Sequence, residues 1–354
     1  MSQVLFYDPL CQQPYDTRTL RTQAMGGTEA TLVRVADALG AWVIQHNRSQ
    51  DWERYRHPQR LDGITSVIVN RDSRALAGVR QRYPGARVYL WLHDRFRPGS
   101  RRARWLTASA PLLREMAVTV VCVSDWQRRG VEATLRSAGL ATHVRTLTIY
   151  NPVDDALTPD GTAVDERKLV FFSSPNKGLG YTLDAFDGLR RAMPDLRLVV
   201  GNPGYKADAC APRAGVEFLG PQPQARMHAE VRSALCTFFP NFVIPETFGL
   251  VFAESHALGT PVLTHGCGAA PEVVGDPRQV LPLGAGCRLY EAVAGALPQR
   301  WRYLPARLAA AAGLFDPYVE RIRAWRSGSR PHAGPDPRFR LRAVTAQWRA
   351  LLSA

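Results

Sequence analysis

The stretch PETFGLVFAESHALGTPVLTHGCGAAPEVVGD, residues 245–276, holds the densest information in the chain. Pro245 favours a helix start, which makes Phe248, Gly249 and Leu250 early helical residues whose N–H groups have no intrahelical acceptor. Such a terminus attracts anions, and a diphosphate is a natural occupant. Glu246 and Glu254 stand eight residues apart, so one helix would carry both carboxylates near one face, about 12 Å apart along its axis. A long ligand could then meet one carboxylate at each end. Pro261–Thr264 reads as a strand and Gly266 with Gly268 as a glycine-rich turn, giving the helix, strand and turn of one α/β layer.

The same alternation runs outward from that stretch in both directions. Upstream, the runs 3–7, 41–45, 66–70, 86–93, 119–124 and 144–149 read as six strands of one sheet. The polar stretch DALTPDGTAVDE, residues 155–166, reads as a linker. Beyond it, 169–173, 196–201, 216–219, 236–240 and 261–265 form a second series. The expected organisation is a domain over 1–154, the linker over 155–166, a second domain over 167–326 and a closing segment over 338–354. In that segment Leu341, Val344, Trp348, Leu351 and Leu352 recur at helical spacing, an apolar stripe that needs a surface to cover it.

Length and composition agree with two folded domains. At 354 residues the chain exceeds a single comfortable core, and 45% hydrophobic with 21% charged residues excludes a disordered chain. The six cysteines contain no C-x-x-C pair and no companion histidine at ligand spacing, so neither a zinc site nor a redox motif is expected. Free thiols suit a reducing cytoplasm. MSQVLFYDPLCQQ reads as a first strand and not as a signal peptide, and no apolar run reaches the ~18–20 residues that cross a bilayer. A cytoplasmic protein is expected, with membrane association limited to a peripheral kind.

The net charge is +14, carried almost wholly by arginine, since the only lysines are Lys168, Lys177 and Lys206. This balance attracts polyanions: nucleic acid, an anionic lipid surface or phosphate-bearing substrates. It concentrates in Arg95–Arg136, with nine arginines, and from Trp301 to the end, with ten. No helix-turn-helix or aromatic-interleaved basic motif supports nucleic acid.

The quoted stretch resembles the family-4 retaining glycosyltransferases, whose mark is Glu-x7-Glu in the form P-E-x-F-G-x-x-x-x-E-A-x-A-x-G-x-P-V. Here it reads PETFGLVFAESHALGTPV, departing at Ser255 and His256, and GCGAAPEVVGD is similar to the family's G-G-x-P-E-x-V segment. Met25-Gly26-Gly27-Thr28-Glu29 resembles the family's N-terminal Gly-Gly loop. His93, in WLHD, is similar to the histidine that meets the transferred sugar near the acceptor. Val120–Gly130 and Ile149–Asp155 resemble two further signatures, from which Ser124, Asn151 and Asp154 are read as cleft and hinge structure. In KLVFFSSPNKGLGYTLDAF, residues 168–186, the family's arginine position holds Phe172, whereas Lys177 keeps its partner cation. The run SSPNKGL is similar to a variant, S-S-P-x-[RK]-G-L, with Ser173, Ser174 and Asn176 as nearby donors.

The resemblance implies a B-type fold: two Rossmann-like domains with parallel sheets facing across a cleft, the C-terminal helix crossing back to the N-terminal domain. It implies transfer of a hexosyl group from a UDP- or GDP-sugar to a hydroxyl acceptor with retention, as in the synthesis of bacterial cell-surface polysaccharide, lipopolysaccharide or another glycoconjugate. Glu246, His93 and Lys177 would be catalytic. Gly26, Gly27, Ser173, Ser174, Lys177, Phe248, Gly249, Leu250 and Glu254 would bind the donor. No metal or cofactor is implied, the nucleotide sugar being a substrate, and the acceptor would be a glycan, a lipid-linked group or a protein. Two alternatives share the fold: a nucleotide-sugar epimerase, and a catalytically idle partner protein. A basic enzyme that glucosylates DNA is a further reading without a supporting motif.

Overall fold

The computed structural model describes residues 3–202, 212–242, 244–283 and 316–354. The chain divides into two compact units. One comprises Met1–Thr19, Gly27–Asp154 and Pro337–Ala354; the other comprises Leu20–Gly26 and Asp155–Asp336.

The first unit is built on a seven-stranded parallel sheet of β1 (Val4–Asp8), β2 (Trp42–Gln45), β3 (Tyr55–Arg56), β4 (Ser66–Asn70), β5 (Arg87–Leu92), β6 (Thr119–Cys122) and β7 (Thr146–Thr148). Their spatial order is β3-β2-β1-β4-β5-β6-β7. Runs such as SVIVN and VYLWL are apolar almost throughout because a parallel sheet is covered on both faces. β3, at two residues, is too short to leave a period in the sequence. One face of the sheet buries Leu5, Val67, Val69, Leu90 and Val120 in a single cluster. On the other, Phe6, Trp91 and Trp348 meet edge to face at centroid distances of 5.1–6.0 Å. Trp348 belongs to the closing helix Leu341–Ser353, whose buried residues Val344, Trp348 and Leu351 are those of its apolar stripe. Backbone bonds fasten the entry to that helix: Val153 N–H donates to Phe339 C=O at 2.7 Å, and Leu341 N–H donates to Val153 C=O at 2.9 Å.

The second unit holds a six-stranded parallel sheet of β8 (Asp165–Phe172), β9 (Arg197–Asn202), β10 (Val216–Pro221), β11 (Ala234–Phe239), β12 (Val262–His265) and β13 (Val280–Leu281), in the order β10-β9-β8-β11-β12-β13. β8 begins at Asp165, whose N–H donates to Ser233 C=O, so the last two residues of the expected linker are strand. Both sheets reverse strand order once, the first between β1 and β4 and the second between β8 and β11. In open α/β sheets ligands bind outside the carboxyl ends of the strands at such a reversal.

Cys11, Cys122, Cys236 and Cys267 are free and buried. Cys210, Cys287, Lys206 and residues 301–315 of the basic C-terminal stretch lie outside the described residues. Among the described residues no helix is long and apolar enough to cross a membrane.

Candidate active site

The site in the second unit grows from the reversal between β8 and β11. β8 ends at Phe172, a partly buried ring packed on the apolar cluster of Val170, Val199, Met227 and Val231. This ring stands where the resemblance places a cation. The chain leaves the strand through the buried Ser173 and Ser174 into a short turn, Pro175–Lys177. Gly178, at φ +98°, then passes the chain into the helix Leu179–Ala192. A Cβ there would stand 3.0 Å from Asn241 Cγ in the facing loop, a second reason for glycine.

The facing loop follows β11. Asn241 braces it with both side-chain atoms, Nδ2 donating to Ile244 C=O at 2.8 Å and Oδ1 accepting from Ile244 N–H at 3.2 Å. Glu246 comes next. Its backbone forms a parallel bridge with Gly268, and Ala269 N–H donates to its carbonyl at 2.9 Å. Gly268 has φ +69°, and a Cβ on it would fall 2.4 Å from Glu246 O, so only glycine lets the two backbones meet. Lys177 Nζ donates to Glu246 Oε2 at 2.9 Å, joining the β8 loop to the β11 loop across the reversal. The other carboxylate oxygen, Oε1, is buried and has no hydrogen-bond partner among the described residues.

The helix begins later than the sequence predicts. Pro245 and Phe248 are not helical: the helix spans Leu250–Ala257, with Gly249 as its N-cap at φ +88°. That left-handed residue turns the chain, and a Cβ on it would strike the Phe252 ring at 2.4 Å. Glu246 therefore sits on the loop and only Glu254 on the helix, so the two carboxylates do not share a helical face. Leu250 remains at the helix start, whereas Phe248 is a buried residue before it.

Glu254 is buried, and His228 Nε2 on the helix Gln224–Arg232 lies 4.0 Å from its Oε2. Neither His228 nor Asn241 stood out in the sequence, because each gains its meaning from a neighbour tens of residues away. Ser255 and His256 pack inward: Ser255 Oγ bonds Thr237 Oγ1 at 2.7 Å, and His256 Nε2 meets Gln279 Oε1 at 2.8 Å. Burial holds the His256 pKa below its usual range. Lys168, on β8, is buried against Glu230 and donates to Ser233 Oγ at 2.7 Å, a structural pairing.

In the first unit Gly27 opens the helix Gly27–Leu39; Gly26 before it closes the Leu20–Gly26 segment assigned to the second unit. His93 follows β5, buried with its ring 4.5 Å from that of Trp91. Burial, and secondarily the charge of Arg71, push its pKa well below the usual histidine value, so it is neutral near pH 7. Asp94 beside it accepts from Arg71 at 3.4 Å and pairs with Arg102 at 3.2 Å. Arg95, Arg97, Arg101 and Arg104 are exposed. Among the described residues no three His, Cys, Asp or Glu side chains converge in a way that could hold a metal ion.

The turn after β8, the β11 loop and the helix bearing Glu254 all fall in one segment that known proteins share. Residues 160–280 match the Glycosyl transferases group 1 family. Over 144 residues the chain is 30% identical to the phosphatidyl-myo-inositol mannosyltransferase of Mycobacterium leprae, an alignment covering 38% of each chain. It spans well under two thirds of that relative's length. Two solved structures are similar over nearly the whole chain. Anabaena HepE in complex with UDP has a TM-score of 0.61 at 17% identity, covering 99% of both chains. Sucrose-phosphate synthase from Thermosynechococcus elongatus has 0.62 at 16%, covering 99% of this chain and 98% of its own. At such identities the likeness concerns fold alone. The two Rossmann-like units match B-type glycosyltransferase structures, and the group 1 segment carries the second unit's sheet from before β8 into β13.

Proposed function

We propose that the chain is a family-4 glycosyltransferase that moves a hexosyl group from a UDP- or GDP-sugar to a hydroxyl acceptor with retention of configuration. The observation that carries this reading is the Lys177–Glu246 pair across the β8/β11 reversal, with a second carboxylate oxygen left buried and open to a donor. A sugar hydroxyl supplies such a donor, and a diphosphate is an anion of the kind a lysine ammonium binds. Glu254 takes the ribose hydroxyls, and Ser173 and Ser174 offer donors to the phosphates. Phe248, Gly249 and Leu250, at the entry to the Glu254 helix, present backbone to the donor, and Gly26 with Gly27 at the start of its helix would do the same.

The mechanism in this reading is a front-face displacement through an oxocarbenium-like state. Charge builds on the leaving diphosphate as the sugar bond breaks, and fixed donors there lower the barrier. Lys177 and the helix start at Leu250 act at that point, so no metal or cofactor is required. His93, held neutral by burial, accepts or donates a hydrogen bond at the sugar without introducing a charge. The acceptor is a glycan, a lipid-linked group or a protein of a bacterial glycoconjugate pathway. The four exposed arginines from Arg95 to Arg104 support work on the cytoplasmic face of an anionic membrane.

A thermal-shift screen of UDP, GDP and their sugars tests the donor, since a ligand at 100 times its Kd stabilises by ~2.7 kcal/mol. NMR of the product made from the stabilising sugar tests retention, and excess chelator tests metal independence. A shift with one nucleotide class, an α product from an α donor and activity in EDTA are expected. No shift with any nucleotide overturns the reading, and loss in EDTA with rescue by manganese overturns its phosphate site.

A further inference from the structure

Glu246 lies on a loop, and a loop presents a carboxylate accurately only if its ends are fixed. One hydroxyl braces the start of that loop and the end of the neighbouring strand. Tyr318, on the helix Asp316–Ala324, is fully buried, and its O–H donates to the carbonyl of Pro240 at 3.2 Å. The same hydroxyl meets His265 Nε2 in a short hydrogen bond. Pro240 is the first residue beyond β11, leading to Glu246; His265 ends β12, leading to Gly268, which pairs with Glu246. His265 Nδ1 faces Leu281 C=O at 3.3 Å, so the ring is held at both nitrogens and the tyrosine hydroxyl bridges two strand ends. Nearby, Cys267 S–H donates to Phe242 C=O at 3.4 Å, tying the two loops again.

We propose that Tyr318 is a positioning residue for Glu246: by joining Pro240 to His265, its hydroxyl sets how the two loops present the carboxylate to Lys177. The catalytic consequence rests on the glycosyltransferase reading; the geometric one does not. Tyr318→Phe removes the hydroxyl and keeps the ring contacts with Phe238, at 5.5 Å, and His265, at 5.4 Å.

The test compares Tyr318→Phe with Ile322→Val, which loosens the same helix without touching the hydroxyl. Tyr318→Phe should lower kcat roughly tenfold, leave the affinity for free UDP or GDP within about twofold, and open the 2.9 Å Lys177–Glu246 contact in a crystal structure. Ile322→Val should lower Tm and leave kcat unchanged. An unchanged kcat and contact in Tyr318→Phe overturns the proposal, and so does an equal kcat loss in both variants. If wild type transfers no sugar, the crystallographic contact alone decides: opened, it supports the positioning role; intact, it removes it.

Discussion

Lys177 Nζ stands 2.9 Å from Glu246 Oε2, and the two side chains differ in exposure, 35% for the lysine against 9% for the glutamate. The carboxylate is the committed partner, since it is buried and would be an uncompensated charge without the cation. The lysine, about a third exposed, can be approached from solvent by a second anion.

Lys177→Ala should reduce kcat/KM by roughly 10- to 150-fold, because a charge-assisted hydrogen bond is worth about 1.5–3 kcal/mol. Part of the loss should appear in kcat if, as proposed, a leaving diphosphate gains charge in the transition state. Lys177→Arg should keep much of the activity. Steady-state kinetics within threefold of wild type for Lys177→Ala would move the phosphate site elsewhere.

The two glutamates should separate by ligand. Glu254→Gln should weaken free nucleotide binding, measured by calorimetry, while Glu246→Gln should leave it nearly intact and lower turnover. Equal weakening by both would show that the carboxylates do not serve different ends of the donor. Their placement on a loop and a helix makes the separation a matter of two anchors and not of one helical face.

Gly268→Ala should cost roughly 2–4 kcal/mol, combining left-handed backbone strain with a 2.4 Å collision against Glu246 O. Gly275→Ala, at φ +72° with no atom within 4 Å of its Cβ, carries the strain alone. Melting and kinetics should therefore show a larger Tm drop for Gly268→Ala, and a turnover loss of at least about tenfold confined to it. Matching kinetics in the two variants would detach Gly268 from the site.

Acid should destabilise the protein through its histidines. Burial lowers His93 and His256 below the usual range and His265 to about 4. The unfolded chain binds these protons near pH 6.5 and the folded chain does not, so stability is lost as pH falls from 6.5 toward 4. For His265 the slope is about 1.4 kcal/mol per pH unit. Asp8 and Glu29, raised chiefly by burial, act in the opposite sense at the acid end. Chemical denaturation across pH 7 to 5 should show the decline, and His265→Gln should flatten it; an equal slope in that variant would place the proton uptake elsewhere.

Arg97, Arg101 and Arg104 changed together to Gln should cut sedimentation with anionic liposomes by about 100-fold, from ~1 kcal/mol per cation at the surface. Neutral liposomes should bind neither protein. Unaltered binding to anionic liposomes would free these arginines from any role at a membrane.

The strands were legible in sequence because parallel sheets bury both faces, so SVIVN, VYLWL, TVVC and LVFF announce themselves as apolar runs. The closing helix was legible too, since Val344, Trp348 and Leu351 recur at helical spacing. Glu246, Glu254 and Lys177 were candidates from their motifs alone. What the sequence could not determine was how these residues meet. Pro245 and the eight-residue spacing favour one continuous helix, but the left-handed backbone at Gly249 starts the helix only at Leu250, and the Phe252 ring beside it leaves room for glycine alone. The partners of the site were equally hidden: Lys177 reaches Glu246 across 69 residues, and Tyr318 meets Pro240 across 78. Local propensity reports only on neighbours in the chain, whereas a strand reversal brings distant loops together, and that step belongs to tertiary packing.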